Sequence, residues 1–243
     1  MTITEWLGTP VGRRCLASEQ RLIRQVLDRV FGEQLLQIGA WGARDTFLRY
    51  ARTQRKALLT FDPVRDDADL VSDPGHLAVA SDSVDAVLLP HTLERTPSAH
   101  ALIREVDRIL RADGQLVVLS FVPGGAWGLR HLLARGGYPA GTRRMIRERR
   151  IRDWLELLCF DVGDAIPYCH TLPFEQFRRL GTFPRERFAQ RWLPMLAGGY
   201  LVTAQKRTLP LTPVRMAWKR PRLRAVGGLV EPTTRATRTR AGG

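Results

Sequence analysis

The chain has 243 residues with a hydrophobic share of 44%, enough to bury the core of one good-sized domain. Its formal net charge of +14 is unusually high. No apolar run approaches the ~20 residues of a membrane span, and the N-terminus lacks a secretory leader pattern, so we expect a cytoplasmic protein. The three cysteines are odd in number and lack metal-ligand spacing, which argues against a disulfide framework or a metal site.

The first part of the chain alternates helical and strand patterns around a glycine turn. Ser18 is a candidate N-cap for a helix with a regular apolar face that ends at Gly32. A buried strand over Gln34–Ile38 leads into the turn 39–42, Gly-Ala-Trp-Gly, and a helix is predicted over 45–52. Strand, glycine turn and helix in this order predict the first unit of a nucleotide-binding sheet.

The second strand is predicted over 57–61 and ends at Asp62. Asp62 follows the glycine turn by about twenty residues, the spacing at which an acidic side chain meets ribose hydroxyls in doubly wound folds. An acidic, loop-like region over 64–82 comes next and contains Asp73. Taken singly, either aspartate is equally well explained as a cap at a strand end or turn.

The region 82–121 carries the strongest pattern in the chain. Two short apolar runs, 86–89 and 116–121, flank a helical pattern that is predicted to stop at Gly114. Two buried strands joined by a helix form a βαβ unit, whose loops lie along the edge where open α/β sheets bind ligands. The loop after the first strand carries His91, and chemistry is expected there.

The rest of the domain is predicted to complete the sheet. The segment 122–150 is rich in glycine and aromatic residues, and we expect a lid or substrate insertion, although Trp127 and Tyr138 also fit a hydrophobic flap over the core. Three elements follow, a helix over 151–158 and two antiparallel strands over 160–168 and 199–204. The fold class is therefore α/β, a doubly wound and mostly parallel sheet with helices on both faces.

Most of the positive charge lies at the C-terminus. Residues 206–243 contain ten Lys or Arg against one acid, Glu231, which gives +9 of the net charge. We therefore divide the chain into a domain over 1–207 and a basic, disordered tail over 208–243. The tail, with a second arginine cluster in 143–152, could attract RNA or an acidic surface; the cluster is equally explained as a solvated helix face. No aromatic-interleaved RNA motif accompanies either.

Several pieces of the central segment follow one another in an order shared with a known family. They are Asp73, Leu77-Ala78, Ser83-Val84-Asp85, the helix end 104–110 and Ala112-Asp113-Gly114. In these pieces the chain resembles class I S-adenosylmethionine-dependent methyltransferases of the type 11 group. FVPGGAWGLRHLL and GGYLVTAQKRTLPLTP resemble, more narrowly, an uncharacterised bacterial methyltransferase-like branch. The resemblance spans roughly residues 1–215 and implies a Rossmann-like, seven-stranded sheet.

The resemblance also implies S-adenosylmethionine as the cofactor and assigns residues to it. The cofactor-binding candidates are Gln37, Gly39, Ala40, Gly42, Asp62, Asp73, Pro74, Leu89 and Pro90, and the catalytic candidate is His91. The turn after the first strand would hold the methionine part, with Gly39 admitting a close backbone approach. Asp62 would bind the ribose and Asp73 with Pro74 the adenine. The segment from Leu89 to His91 would border the sulfonium.

Two departures of the turn from the family pattern, acidic-x-Gly-x-Gly-x-Gly, bear on the cofactor. Gln37 replaces the carboxylate, although its amide oxygen still accepts a hydrogen bond from the cofactor's ammonium group. Trp41 replaces a glycine, and its bulky side chain either folds outward or narrows the site. These departures motivate an alternative function, a catalytically inactive binding or regulatory protein on the same fold.

Methyl transfer from a sulfonium is an in-line displacement, so alignment and exclusion of water matter more than acid–base groups. Where the acceptor carries a proton, His91 is the candidate base because its ordinary pKa suits the task, and Glu94 could orient it. The alternative is that His91 only packs in the cofactor wall. We predict a methyltransferase that acts on an unidentified small-molecule or lipid-like acceptor.

Overall fold

A computed structural model describes residues 2–171, 173 and 197–207 of the chain. The strands are β1 (Gln34–Ile38), β2 (Arg55–Thr60), β3 (Leu70–Val71), β4 (Val84–Pro90), β5 (Leu110–Phe121), β6 (Phe160–Val162), β7 (Ile166–Tyr168) and β8 (Gly199–Lys206). They form one sheet in the order β3-β2-β1-β4-β5-β8-β6, and β7 also pairs with β8.

The first five strands are parallel, whereas β8 runs antiparallel to β5, β6 and β7. Leu201 pairs with Leu119 of β5 on one side and with Ile166 of β7 on the other. Since Ala204 likewise pairs with β5 and β6, β6 and β7 are two parts of one interrupted edge strand. The sheet therefore has seven positions, which confirms the predicted seven-stranded, mostly parallel, doubly wound fold.

Helices cover both faces of this sheet. They are α1 (Ile3–Gly8), α2 (Pro10–Leu27), α3 (Asp45–Leu48), α4 (Thr92–Arg95), α5 (Ala99–Ile109), α6 (Gly125–Leu133) and α7 (Glu148–Leu157). On one face, Ile23 of α2 belongs to the same buried cluster as Leu88 of β4. On the other, Val106 of α5 and Ile151 of α7 share a cluster with Val87 of β4. Successive residues of β4 thus serve opposite layers, as expected of a strand buried on both faces.

The beginning of α2 differs from the sequence prediction. The helix starts at Pro10 and is capped by Thr9, whose Oγ1 accepts a hydrogen bond from the Gly12 amide at 3.1 Å. Ser18 lies inside the helix, where its hydroxyl donates to the Arg14 carbonyl. A Thr cap followed by Pro at the first helical position is a regular helix start, so the signal was present in the sequence.

The βαβ unit was predicted correctly, but its helix ends earlier than expected. α5 stops at Ile109 and β5 begins at once with Leu110, so Gly114 lies within the strand. Asp113 has a φ of 62°, and the pairing of β4 with β5 shifts register between Val84 and Ala86. The glycine therefore belongs to an irregularity in the strand pairing rather than to a helix stop.

The segment 122–150 contains α6, and its aromatic residues are part of the core. Trp127 and Tyr138 are buried, with ring centroids 6.3 and 6.0 Å from that of Trp6 in α1. The predicted tail, 208–243, lies outside the described residues. Within the described residues, no helix combines the length and apolar character needed to cross a membrane.

Candidate cofactor and active site

The glycine turn is held against the loop after β4. Gly39 has a φ of 89°, and its amide donates to the Leu59 carbonyl at 2.8 Å. A Cβ at this position would lie only 2.4 Å from Oγ1 of Thr92, the first residue of α4. Both the backbone angle and the close approach therefore require glycine. This contact brings the turn after β1 and the loop after β4 to one place at the edge of the sheet.

Gln37 places an unpaired acceptor beneath this turn. Its side chain is buried, and Nε2 donates to the Gly39 carbonyl at 3.1 Å. Within the described residues, Oε1 is buried without a hydrogen-bond partner. A buried polar atom left unsatisfied costs roughly 1–3 kcal/mol, so a ligand that donates a hydrogen bond here would recover that cost.

Two arginines hold the carbonyl groups of the turn. Arg95 of α4 donates to the Ala40 carbonyl at 2.8 Å, and Arg65, which follows β2, donates to the Gly42 carbonyl at 2.6 Å. Arg95 is largely shielded from solvent, and burial lowers its pKa. These contacts surround the turn with positive charge. Neither arginine is predicted from the sequence, because each is separated from its partner by more than twenty residues.

The two predicted acidic ligands lie at the same edge but farther out. Asp62 is exposed after β2, and its Oδ1 accepts from the Val64 amide at 3.0 Å. Asp73 is exposed after β3, and its Oδ1 accepts from the Gly75 amide at 2.7 Å. Each carboxylate therefore caps a local turn while remaining open to solvent. Pro74 adjoins Asp73, whereas Leu89 and Pro90 are buried at the end of β4.

Trp41 turns into the core. Its side chain is fully buried, and its ring centroid lies 4.3 Å from that of His91 and 5.8 Å from that of Trp6. The indole Nε1 donates to Oε2 of Glu19 at 2.7 Å. The residue that replaces a family glycine thus packs over His91 instead of projecting outward.

His91 lies in a buried polar cluster and is stacked on Phe121 at a centroid distance of 3.9 Å. Its Nδ1 lies 3.1 Å from Oε2 of Glu94, and its Nε2 lies 3.0 Å from Oε1 of Glu19. The Tyr168 hydroxyl lies 3.1 Å from the same Nε2. We call this group, with Cys15 and Trp41, the histidine cluster. Glu19 comes from α2, 72 residues before His91, and was not predicted as a site residue.

The histidine cluster holds His91 in its charged form. Burial by itself lowers the pKa of His91, but the hydrogen bonds and negative charges of Glu19 and Glu94 outweigh burial and raise that pKa to about 9. At neutral pH the ring is therefore an imidazolium with no lone pair to accept a proton. Burial also raises the pKa of Tyr168 and Cys15 well above their ordinary values, so both stay neutral.

Comparison with known proteins identifies the family. A family model described as a methyltransferase domain, of the type 11 group, matches residues 42–118. The uncharacterized protein YafS of Escherichia coli strain K12 is 32% identical over 228 residues, which cover 92% of this chain and 90% of YafS. The chain belongs to the same family as YafS and carries a methyltransferase domain of the type 11 group. The resemblance inferred from the sequence is thereby confirmed.

Solved structures share the methyltransferase fold at low sequence identity. A methyltransferase from Thermotoga maritima matches with a TM-score of 0.61 and 13% identity, over 84% of this chain and 94% of the other. SpnF, a cyclase, matches with a TM-score of 0.55 and 20% identity, over 79% and 80% of the two chains. At such identities the likeness concerns the fold alone.

S-adenosylmethionine is the cofactor of this methyltransferase family, and the residues around the turn are compatible with it. The unpaired Gln37 oxygen is suited to an ammonium group, and Gly39 keeps the backbone clear of a side chain. Trp41 does not obstruct the outer side of the turn, because its indole is buried in the core below. The same geometry separates His91 from any ligand at the surface of the turn.

Proposed function

We propose that this methyltransferase binds S-adenosylmethionine at the turn after β1 and transfers its methyl group to a small-molecule or lipid-like acceptor. The main support is the buried, unpaired Oε1 of Gln37 beside Gly39. An amide oxygen at that point accepts a hydrogen bond from the cofactor's ammonium group. When bound, the cofactor supplies an electrophilic methyl group on a sulfonium.

In this proposal the residues of the turn bind and orient the cofactor. The backbone of Gly39, Ala40 and Gly42 lies along the methionine part, and Arg95 balances its carboxylate. The exposed carboxylate of Asp62 accepts hydrogen bonds from the ribose hydroxyls. Four further candidates complete the site, with Asp73 and Pro74 at the adenine and Leu89 and Pro90 beside the sulfonium.

His91 is assigned a positioning role instead of the role of a base. Its imidazolium ties Glu19 of α2 to Glu94 of α4 and supports the loop on which Thr92 contacts Gly39. Since a protonated and fully buried histidine cannot take a proton from an acceptor, transfer depends on alignment and exclusion of water. This agrees with the alternative in which His91 packs in the cofactor wall.

Replacing Asp62 with alanine should weaken cofactor binding. Losing hydrogen bonds to a charged group costs roughly 1.5–3 kcal/mol, so we expect the affinity for S-adenosylhomocysteine to fall about tenfold or more. The measurement is calorimetric titration of the full chain with S-adenosylmethionine and S-adenosylhomocysteine. Asp66→Ala is the matched control, because Asp66 is an exposed acid in the same loop.

Two results would count against the proposal. One is a folded wild-type protein that gives no binding heat at millimolar ligand, which would remove the cofactor site altogether. The other is an equal loss of affinity in the Asp62 and Asp66 variants, which would indicate a general charge effect and not a ribose contact.

A second candidate is a binding or regulatory protein that does not transfer methyl groups. The closed histidine cluster favours it, because no proton acceptor within the described residues of that cluster faces a ligand at neutral pH. The methyltransferase fold also occurs in the cyclase SpnF, and a fold alone does not define a reaction. Binding of S-adenosylhomocysteine without transfer of a labelled methyl group to any acceptor fraction would favour this candidate.

The basic tail supports a proposal of its own, an association with RNA or an acidic surface. Residues 208–243 lie outside the described residues, so the proposal is supported by their excess of Lys and Arg over acidic residues. Binding of RNA by electrostatic contacts weakens as salt rises. We expect any RNA affinity of the full chain to fall steeply with salt and to be lost when residues after 210 are removed.

A further inference from the structure

A basic cavity lies between the end of β5 and the start of α7. It has a volume of about 420 Å³ and is bordered by Pro123, just beyond β5. Its other lining residues are three arginines, Arg144, Arg147 and Arg150, and three apolar residues, Met145, Ile146 and Trp154. Charged and apolar surfaces thus face a single concave space, and we call it the arginine cavity.

The guanidinium groups of the arginine cavity have no ion pair among the described residues. Within the described residues, the guanidinium groups of Arg144 and Arg147 have no hydrogen bond or ion pair, and Arg150 lies over the Trp154 ring at 5.1 Å. By contrast, Arg152 in the same helix pairs with Glu148 at 2.8 Å. Among the residues that the structure describes, no acidic side chain lines the cavity. Several positive charges in a concave site attract anions, and planar guanidinium groups suit carboxylate and phosphate geometry.

An apolar space adjoins the arginine cavity. It has a volume of about 510 Å³ and shares Pro123 and Arg147 with the arginine cavity. Val122, Pro167 and Tyr200 line it together with Arg149 and Glu148, and the Glu148 carboxylate is paired with Arg152. Together the two spaces offer an anionic group one place and an apolar body another. A small inorganic anion would not contact Trp154 or fill the adjoining space.

Hydrogen bonds connect the wall of the arginine cavity to the candidate active site. The backbone amides of Arg143 and Arg144 donate to the Glu94 carbonyl in α4 at 3.0 and 3.3 Å. The Tyr200 hydroxyl of β8 donates to the Ile146 carbonyl at 2.7 Å. The cavity therefore lies at the sheet edge to which the cofactor turn also belongs, and the segment 122–150 supplies most of its wall.

We infer that the arginine cavity holds the methyl acceptor and selects an acceptor with a carboxylate or phosphate group beside an apolar or aromatic body. The inference rests on the proposed methyltransferase function for the identity of the ligand as acceptor. The anion site itself rests only on the geometry and charge of the cavity.

The test uses small anionic probes on the full chain without cofactor. Phenyl phosphate and phenylacetate are titrated calorimetrically, with inorganic phosphate and benzyl alcohol as partial probes. In Arg147→Gln/Arg150→Gln we expect the affinity for the better anionic probe to fall about tenfold or more. The control, Arg13→Gln/Arg14→Gln, removes two exposed charges from α2 on the other face and should bind within about twofold of wild type.

The probes also separate the contribution of the anionic group to binding from that of the apolar body. We expect inorganic phosphate and benzyl alcohol each to bind more weakly than the better of the two complete probes, and Trp154→Leu to weaken that probe. Whichever of phenyl phosphate and phenylacetate binds more tightly identifies the anionic group. Unfolding midpoints of all variants establish that they are folded.

Three results would overturn the inference. They are no binding of either aromatic anion at about 10 mM, an equal loss in both double variants, and inorganic phosphate binding as tightly as phenyl phosphate. Titration with S-adenosylhomocysteine on the same samples separates the two proposals. Probe binding without cofactor binding would keep the anion site and defeat the methyltransferase proposal, whereas the reverse would defeat only the acceptor assignment.

Discussion

Replacing Glu94 with alanine should lower the free energy of unfolding by about 3–5 kcal/mol. The Glu94 carboxylate is fully buried and lies 3.1 Å from the charged His91 ring. It also accepts hydrogen bonds from the Ser120 hydroxyl and the Phe121 amide. The substitution therefore removes the acceptor of three buried donors, the Ser120 hydroxyl, the Phe121 amide and the His91 Nδ1–H, and one of the two carboxylates around a buried cation. Urea unfolding at pH 7 measures the effect.

Two variants make this result specific. Glu33→Ala should change the free energy of unfolding by less than about 1 kcal/mol, since Glu33 is 64% exposed and lies 3.7 Å from Arg111. Glu94→Gln retains an oxygen acceptor for Ser120 and Phe121 while removing the charge, so it should fall between wild type and Glu94→Ala. A loss below about 1 kcal/mol in Glu94→Ala would mean that the cluster does not hold its charges as described.

Stability should fall as the pH rises through about 9, by roughly 3 kcal/mol attributable to His91. The sign follows from the direction of the pKa shift. Folding raises the pKa of His91 from 6.5 to about 9, so the folded state binds the proton more tightly than the unfolded chain. The stabilisation is complete below pH 6.5, declines above it, and is lost once the pH exceeds the folded pKa.

Comparison with His91→Gln isolates this contribution. Two further titratable groups of the cluster, Tyr168 and Cys15, stay neutral because their pKa values are raised well above the ordinary ones. The acids that face the His91 ring are Glu19 and Glu94. Urea unfolding of both proteins from pH 6 to 10 should show a steeper decline for wild type. Parallel curves would show that His91 is not held as an imidazolium in the folded protein.

Glu94 and His91 stabilise the loop beside the cofactor turn, so a change in the activity of their variants has a structural explanation as well as a chemical one. A substitution in the histidine cluster would lower activity by disturbing the loop that carries Thr92, even though His91 contacts no acceptor. Loss of activity in a His91 variant alone would therefore not identify a base. Stability measured beside activity separates support from chemistry.

Local patterns were sufficient to predict the order of the main elements. The βαβ unit from β4 to β5 follows from apolar periodicity, which acts over a few residues, and β1 was predicted with its observed limits. Gly114 gave the wrong helix end, because it lies within β5. The start of α2 was predicted wrongly because Ser18 was preferred to the Thr9-Pro10 signal. Both local signals are present in the sequence, and the Thr9 cap followed by Pro10 is the one at which the helix starts.

Local patterns in the sequence were enough to establish the doubly wound fold and the family, and they predict the edge of the sheet at which a ligand would bind. The charge state of His91 depends instead on packing, because its pKa depends on Glu19, which α2 brings across from 72 residues away. Packing also decided the direction of Trp41 and the contacts of Arg95 with the turn. Periodicity records which side of an element is buried, whereas charge states and side-chain directions depend on partners that only packing brings together.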